Sequence, residues 1–266
     1  MIRAAAVLAL AIAGCAQPAP APSEHPTIVS LNPCADAILA EVADRAQLLA
    51  LSHYSHDPRA TSLPLAEAKR FRITGGTVEE VLALSPDVVV GDSFMAPATR
   101  AAFERLDVRV ETVGIDLAVA DSEAQVRRLA KLAGHPERGE ALVGRIEAAL
   151  AETQRTGPPV SAILWQQGGI VAGGNALAAN LMVHTGFTSQ SAARGLRQGA
   201  YLPLERVLAD PPRLILSAGD GREQHHPALR KLKGVTYAEV APNLLYCGGP
   251  TIPRLARRLA AVRDSL

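Results

Sequence analysis

Aromatic side chains are scarce in this chain, at 3% of residues with a single tryptophan. Few are available even for a core, so each one in a loop invites a functional reading. Charge of one sign is also absent: the formal net charge is +1, which removes the electrostatic case for a nucleic-acid partner. No phosphate-loop or dinucleotide fingerprint is present. Past the N-terminus no apolar run is long enough to span a bilayer. Disorder is not expected either, since 48% of residues are hydrophobic and only 20% charged. The 266 residues allow two ordinary domains or one large one.

Cysteines number three, Cys15, Cys34 and Cys247. Cys15 follows a positive start and a short apolar run, Ala4–Ala13. That run is a secretory signal in length and flanks. Ending in Cys, it resembles a bacterial lipoprotein signal, which implies that residues 1–14 are removed and Cys15 is lipidated. Residues 15–26 then form a Pro/Ala tether holding a domain off a membrane.

One stretch occurs twice in outline. Glu79–Val90 reads EEVLALSPDVVV and Glu205–Leu216 reads ERVLADPPRLIL, in register and without gaps. In the first copy Thr77 and Glu80 form a capping box that starts a helix. Val78, Val81 and Leu82 share its inner face. Ser85-Pro86-Asp87 stops it, and Val88–Val90 is a buried parallel strand. The second copy repeats this with Leu204, Val207 and Leu208 inward and Leu214–Leu216 as strand. Each lobe thus presents one glutamate, Glu79 or Glu205. By themselves these residues are solvated helix charges.

Around this repeat the pattern alternates. Thr27–Leu31 is a strand, and Asn32 caps a helix over Cys34–Val42 with Pro33 in its first turn. Leu48–Leu51 is a strand, Ser52–Pro58 a polar loop, Ala98–Leu106 a helix and Val108–Val113 a strand. Such alternation gives a parallel sheet with helices on both faces. Ser122–Leu132 and Pro136–Thr153 are helices, the second the longest. A second lobe opens with the strand Val160–Trp165, followed by a glycine-rich turn and a helix over Ala176–Thr185. A helix from Pro227 and a last strand, Leu244–Cys247, lead to an Arg-rich C-terminal helix.

The segments IVSLNPCADAIL, GGTVEEVLALSPDVVV, VAGGNALAANLMVHTGF and PLERVLADPPRLIL resemble the class III substrate-binding proteins of ABC importers, the siderophore, haem and cobalamin group. The resemblance covers nearly all of 27–266, and SHYSHDP makes it most similar to the vitamin B12 binders. It implies an α/β fold of two Rossmann-like lobes with mainly parallel sheets, spanning 27–134 and 157–266 and joined by one long helix over 135–156. It implies a monomer in the periplasm that does no chemistry, holds no cofactor and captures a corrinoid, with an iron siderophore or haem as alternative. Glu79 and Glu205 match the glutamates that dock on arginines of the permease dimer. The cleft is expected to be lined by Asn32, His53, Tyr54, His56, Thr74, Gly75, Gly76, Phe94, Trp165, Gln166, Tyr201, Cys247 and Gly248. Arg70 and Arg72 could meet an anionic ligand.

Three other readings are weighed. His53, His56 and Asp57 could be metal ligands, but no second paired motif supports them. Gly91-Asp92-Ser93 suggests an esterase nucleophile, yet Met95 stands where the second glycine of that motif belongs. Cys34 and Cys247, expected on opposite lobes near the cleft, could form a disulfide; free thiols are the expectation.

Overall fold

The computed structural model describes residues 25–266. Cys15, the signal and most of the tether lie outside the described residues.

The first lobe runs β1 (Ile28–Ser30), α1 (Pro33–Val42), β2 (Leu48–Ser52), α2 (Leu65–Ala68), β3 (Ile73–Thr74), α3 (Val78–Leu82), β4 (Val88–Asp92), α4 (Pro97–Arg105), β5 (Arg109–Val113) and α5 (Val119–Leu132). Its sheet has the order β3-β2-β1-β4-β5 and is parallel throughout. The valines of β4 are buried on both faces, as a central parallel strand requires. The linking helix α6 (Pro136–Thr153) buries Leu142, Val143, Ile146 and Ala149 on one stripe.

The second lobe runs β6 (Val160–Gln166), β7 (Ile170–Val171), α7 (Leu177–His184), β8 (Phe187–Ser189), α8 (Gln190–Ala193), β9 (Ala200–Tyr201), α9 (Leu204–Ala209), β10 (Leu214–Ala218), β11 (Thr236–Glu239) and α10 (Thr251–Asp264). Its sheet has the order β11-β10-β6-β7-β9, with β8 also on β6. The sequence repeat now has a structural meaning. The parallel run β2-β1-β4-β5 of the first sheet has the same connectivity as β8-β6-β10-β11 of the second. The repeated helix-strand units are α3–β4 and α9–β10. In each sheet the strand order reverses beside the opening strand, between β1 and β4 and between β6 and β10. These are the points where open α/β sheets receive ligands. This is the expected α/β fold of two lobes with mainly parallel sheets joined by one long helix.

Two expected elements differ. The segment after Pro227 forms only a short 3-10 turn, Leu229–Lys231. The last strand is β11, not Leu244–Cys247, whose first residue closes the 3-10 turn Pro242–Leu244. β11 is an edge strand with mostly exposed side chains, so no apolar alternation marks it.

One buried core joins both lobes. It includes Ile28 and Leu51 of the first, Ile146 of α6, and Leu164, Leu216 and Leu259 of the second.

Candidate functional site

Three hollows lie in a row along the carboxyl ends of the strands. The first, about 460 Å³, belongs to the first lobe and brings together His53, Tyr54, Thr74, Gly75, Gly76 and Phe94. The central one, about 120 Å³, lies between the lobes and brings together Asn32, Phe94, Gln166, Cys247 and Gly248. Asp92 and Phe94 border both. The third, about 400 Å³, is lined by Arg59, Gln166, Gln167, Asp220 and Tyr246. Gln166 and Tyr246 also line the central one.

Local hydrogen bonds set each wall. Asn32 caps α1, its Oδ1 accepting from the N–H groups of Cys34 (2.9 Å) and Ala35 (3.0 Å). Its amide nitrogen donates to Asp92 Oδ2 at 3.3 Å. Asp92 Oδ1 accepts from the Phe94 N–H at 2.8 Å. That tight turn leaves the Phe94 ring 75% exposed over both hollows. A phenyl ring so exposed is costly in water and suited to a flat partner.

The 3-10 turn His53–His56 rests on a buried carboxylate. Asp36 Oδ2 accepts from the Ser52 N–H at 3.0 Å and from Ser55 Oγ at 2.6 Å. Burial pushes the Asp36 carboxyl up to about 7, against the opposing effect of hydrogen bonds from Ser30, Ser55 and Ser52. The turn holds Tyr54 half exposed, its ring 4.1 Å from that of His53. His56 points the other way, with Nε2 3.0 Å from the Ala68 carbonyl. Its observed part is to pin the turn to α2. Asp57 pairs with Arg59 at 3.4 Å. Among the described residues no group of three or more His, Cys, Asp or Glu is placed to hold a metal ion.

Thr74 Oγ1 donates to Glu80 Oε2 (2.9 Å) and accepts from the Gly76 N–H (3.1 Å). Gly76 has φ +86°, a conformation only glycine adopts without strain. The Thr74 hydroxyl, ahead of the local backbone N–H groups, holds the Glu80 carboxyl below its usual range. Thr77 caps α3, accepting from the Glu80 N–H at 3.2 Å. Glu79 and Glu205 lie exposed in the first turns of α3 and α9.

Two expectations need correction. Trp165 does not face the cleft: it is fully buried, and its Nε1 donates to the Leu202 carbonyl at 3.1 Å. It packs with Ile163, Val171, Val207 and Ile215. The strand alternates, so its neighbour Gln166 is the one that turns to the ligand side. Cys34 and Cys247 are not free thiols but a disulfide with Cα atoms 5.1 Å apart. Gly248 lines the central hollow as expected, but close packing surrounds it. The Gly249 N–H is taken by Ser122 Oγ at 2.6 Å. A Cβ on Gly248 would collide with Ser122 Oγ and the Asp116 carboxylate, so glycine there serves close packing.

Of the remaining candidates, Tyr201 is exposed on β9 with its ring against Gly169, outside the lining of these three hollows. Arg70 pairs with Glu67 at 2.8 Å. Arg72 borders a separate small hollow beside Glu80. Ser93 is exposed, and among the described residues its hydroxyl has no hydrogen bond to a histidine.

Sequence reasoning missed Tyr246, Asp116, Gln125, Gln198 and Arg59. Tyr246 is half exposed between the central and third hollows. It was hidden by the expected strand over Leu244–Cys247, although Gly248-Gly249-Pro250 close behind it is a signal for a turn. Asp116 follows β5 at the cleft, where burial outweighs the Ser122 hydrogen bond and pushes its carboxyl up to about 6. Gln125 is buried, its Oε1 accepting from the Gly114 N–H at 3.1 Å.

The model of the family described as "Periplasmic binding protein" matches residues 28–233. A search of curated proteins finds no match. Among solved structures, the periplasmic haem-binding protein HutB of Vibrio cholerae is similar over 90% of this chain and 98% of its own, at 14% identity and TM-score 0.74. The periplasmic haem-binding protein RhuT from Roseiflexus sp. RS-1 is similar over 91% and 97%, at 21% identity and TM-score 0.67. The periplasmic vitamin B12 binding protein BtuF of Vibrio cholerae is similar over 91% and 97%, at 14% identity and TM-score 0.68. At these identities the structural likeness concerns the fold.

Proposed function

The chain belongs to the periplasmic binding protein family, and we propose that within it this protein captures a corrinoid between its lobes and delivers it to an ABC importer. The observation that carries this reading is the chemistry of the cleft walls. Flat exposed rings, Tyr54, Phe94 and Tyr246, stand at the openings. Between them the polar groups are mainly side-chain amides and carboxylates: Asn32, Gln125, Gln166, Gln198, Asp92 and Asp116. A corrinoid combines a flat macrocycle with neutral carboxamide arms, which both donate and accept hydrogen bonds. Haem carries two carboxylates, which such walls repel; Arg59 is the one guanidinium among the residues lining the three hollows.

Haem is the second reading, supported by one specific feature. His53 and Tyr54 stand side by side at the rim of the first hollow. Imidazole and phenolate are both axial ligands of haem iron. A ferric siderophore ranks below both, because Arg70 is engaged by Glu67.

On this reading the division is 27–134, 135–156 and 157–266, and the protein works as a periplasmic monomer tethered by lipid at Cys15. It performs no chemistry on its cargo. Glu79 and Glu205 occupy equivalent positions in the two repeats, so one meets each permease subunit. Reversing both charges should abolish uptake in cells with the matched permease while leaving ligand affinity unchanged; unchanged uptake would remove the docking role.

The ligand is tested by calorimetric titration of the purified chain carrying Cys15→Ser with cyanocobalamin, haem and ferric siderophores in turn. One-to-one binding that is tightest for cyanocobalamin is expected. Tighter binding of haem, with a shifted absorption band that His53→Ala alters, would replace the first reading by the second.

A further inference from the structure

Residues 241–250 form a strap along one wall of the central hollow. Both of its ends belong to the second lobe: it leaves β11 and enters α10, which packs on α6 and α7. Its middle is fastened to the first lobe. Cys247 is bonded to Cys34 at the start of α1. The Gly249 N–H donates to Ser122 Oγ of α5 at 2.6 Å, and Gly249 packs against Ile38 of α1. The Asn243 carbonyl accepts from Ser62 Oγ at 3.4 Å. Arg254, one turn into α10, donates to the Ser62 carbonyl at 2.9 Å.

We propose that this strap is a second, covalent tether between the lobes, which together with α6 fixes the cleft width and permits only rotation about the line through the two tethers. Two rigid bodies joined at one point keep three rotations, and joined at two points they keep one. The disulfide also walls the central hollow, since both cysteines line it. The spacing of Asn32 and Gly248 across that hollow is therefore set by a covalent bond, whichever chelate enters. The tether acts on the ligand-free protein, so it stands or falls apart from the corrinoid reading.

The test measures the lobe-to-lobe distance without ligand. Glu104→Cys on α4 and Ala209→Cys on α9 are exposed positions outside the cleft. In a Cys15→Ser background they carry maleimide-linked gadolinium labels, read by pulsed dipolar spectroscopy. Three samples are compared: the protein with its disulfide, the Cys34→Ser/Cys247→Ser variant, and the first sample after dithiothreitol. In the third, dithiothreitol closes to its cyclic disulfide as Cys34 and Cys247 become thiols. The intact protein should give one narrow distribution, and both others one at least about twice as broad. Near-ultraviolet circular dichroism identifies any sample that has lost its fold, and the reduced protein replaces a variant that does not fold. Equal means and widths in folded samples with and without the bond would overturn the proposal. So would loss of the fold in both, since the bond would then hold the fold and not the cleft.

Discussion

Asp36→Asn is the substitution with the most specific expected outcome. Asp36 is fully buried under the turn that carries Tyr54, and its carboxyl is pushed from 3.8 to about 7, first by loss of water. Its Oδ1 has no hydrogen-bond partner among the described residues. The sign follows from proton counting. Between pH 4 and 7 the folded protein holds a proton on Asp36 that the unfolded chain has released. Stability from this group is therefore full below about pH 4, falls as pH rises to about 7, and is level above that. The two values correspond to about 4 kcal/mol. Asparagine keeps an oxygen to accept from Ser52 and Ser55, and places an uncharged amide where Oδ1 stood. Urea unfolding followed by circular dichroism at pH 4.5, 6 and 8 should show the variant gaining on the native protein as pH rises. At pH 8 the gain should approach a few kcal/mol. Parallel pH dependence in the two proteins would refute the assignment of a buried, neutral Asp36.

Trp165→Phe should lower stability by about 1–3 kcal/mol, because the Leu202 carbonyl loses its buried donor, with little change in ligand affinity; chemical denaturation and calorimetry check the two halves. Reducing the Cys34–Cys247 bond, which spans 213 residues, should cost about 5 kcal/mol by the chain-entropy estimate, read from denaturation with and without reductant. Asp116→Asn should flatten the decline in stability between pH 3.8 and about 6, because its raised carboxyl has the same sign as that of Asp36; thermal melts at pH 4 and 7 test this.

The repeat was the most legible feature of the sequence. Glu79–Val90 and Glu205–Leu216 each carry a complete local instruction of helix face, breaker and strand, and they became α3–β4 and α9–β10. The same is true of Asn32-Pro33, whose capping depends on adjacent residues alone, and of Pro136–Thr153, matched end to end by α6. What failed depended on contacts distant in sequence. Trp165 ends a strand at the cleft, but its side chain faces β7 and Leu202, which only the antiparallel pairing of β6 with β7 brings there. The disulfide joins residues from opposite ends of the chain through a strap that local pattern could not distinguish from a strand. Gly248 was expected at the cleft and lines the central hollow, whereas the hold of Ser122 on its neighbour Gly249 spans 127 residues and has no local signal.

The central claim is that the cleft binds a corrinoid through its exposed rings. The most direct measurement compares the dissociation constants of cyanocobalamin for the native chain and for Tyr54→Ala and Phe94→Ala. Phe94 is largely exposed and Tyr54 half exposed, so folding stability should change little. Burying one ring against a macrocycle contributes about 1.5–3 kcal/mol, so each substitution should weaken binding roughly tenfold to a hundredfold. Equal affinities in all three proteins, or no binding of cyanocobalamin by the native chain, would contradict the account.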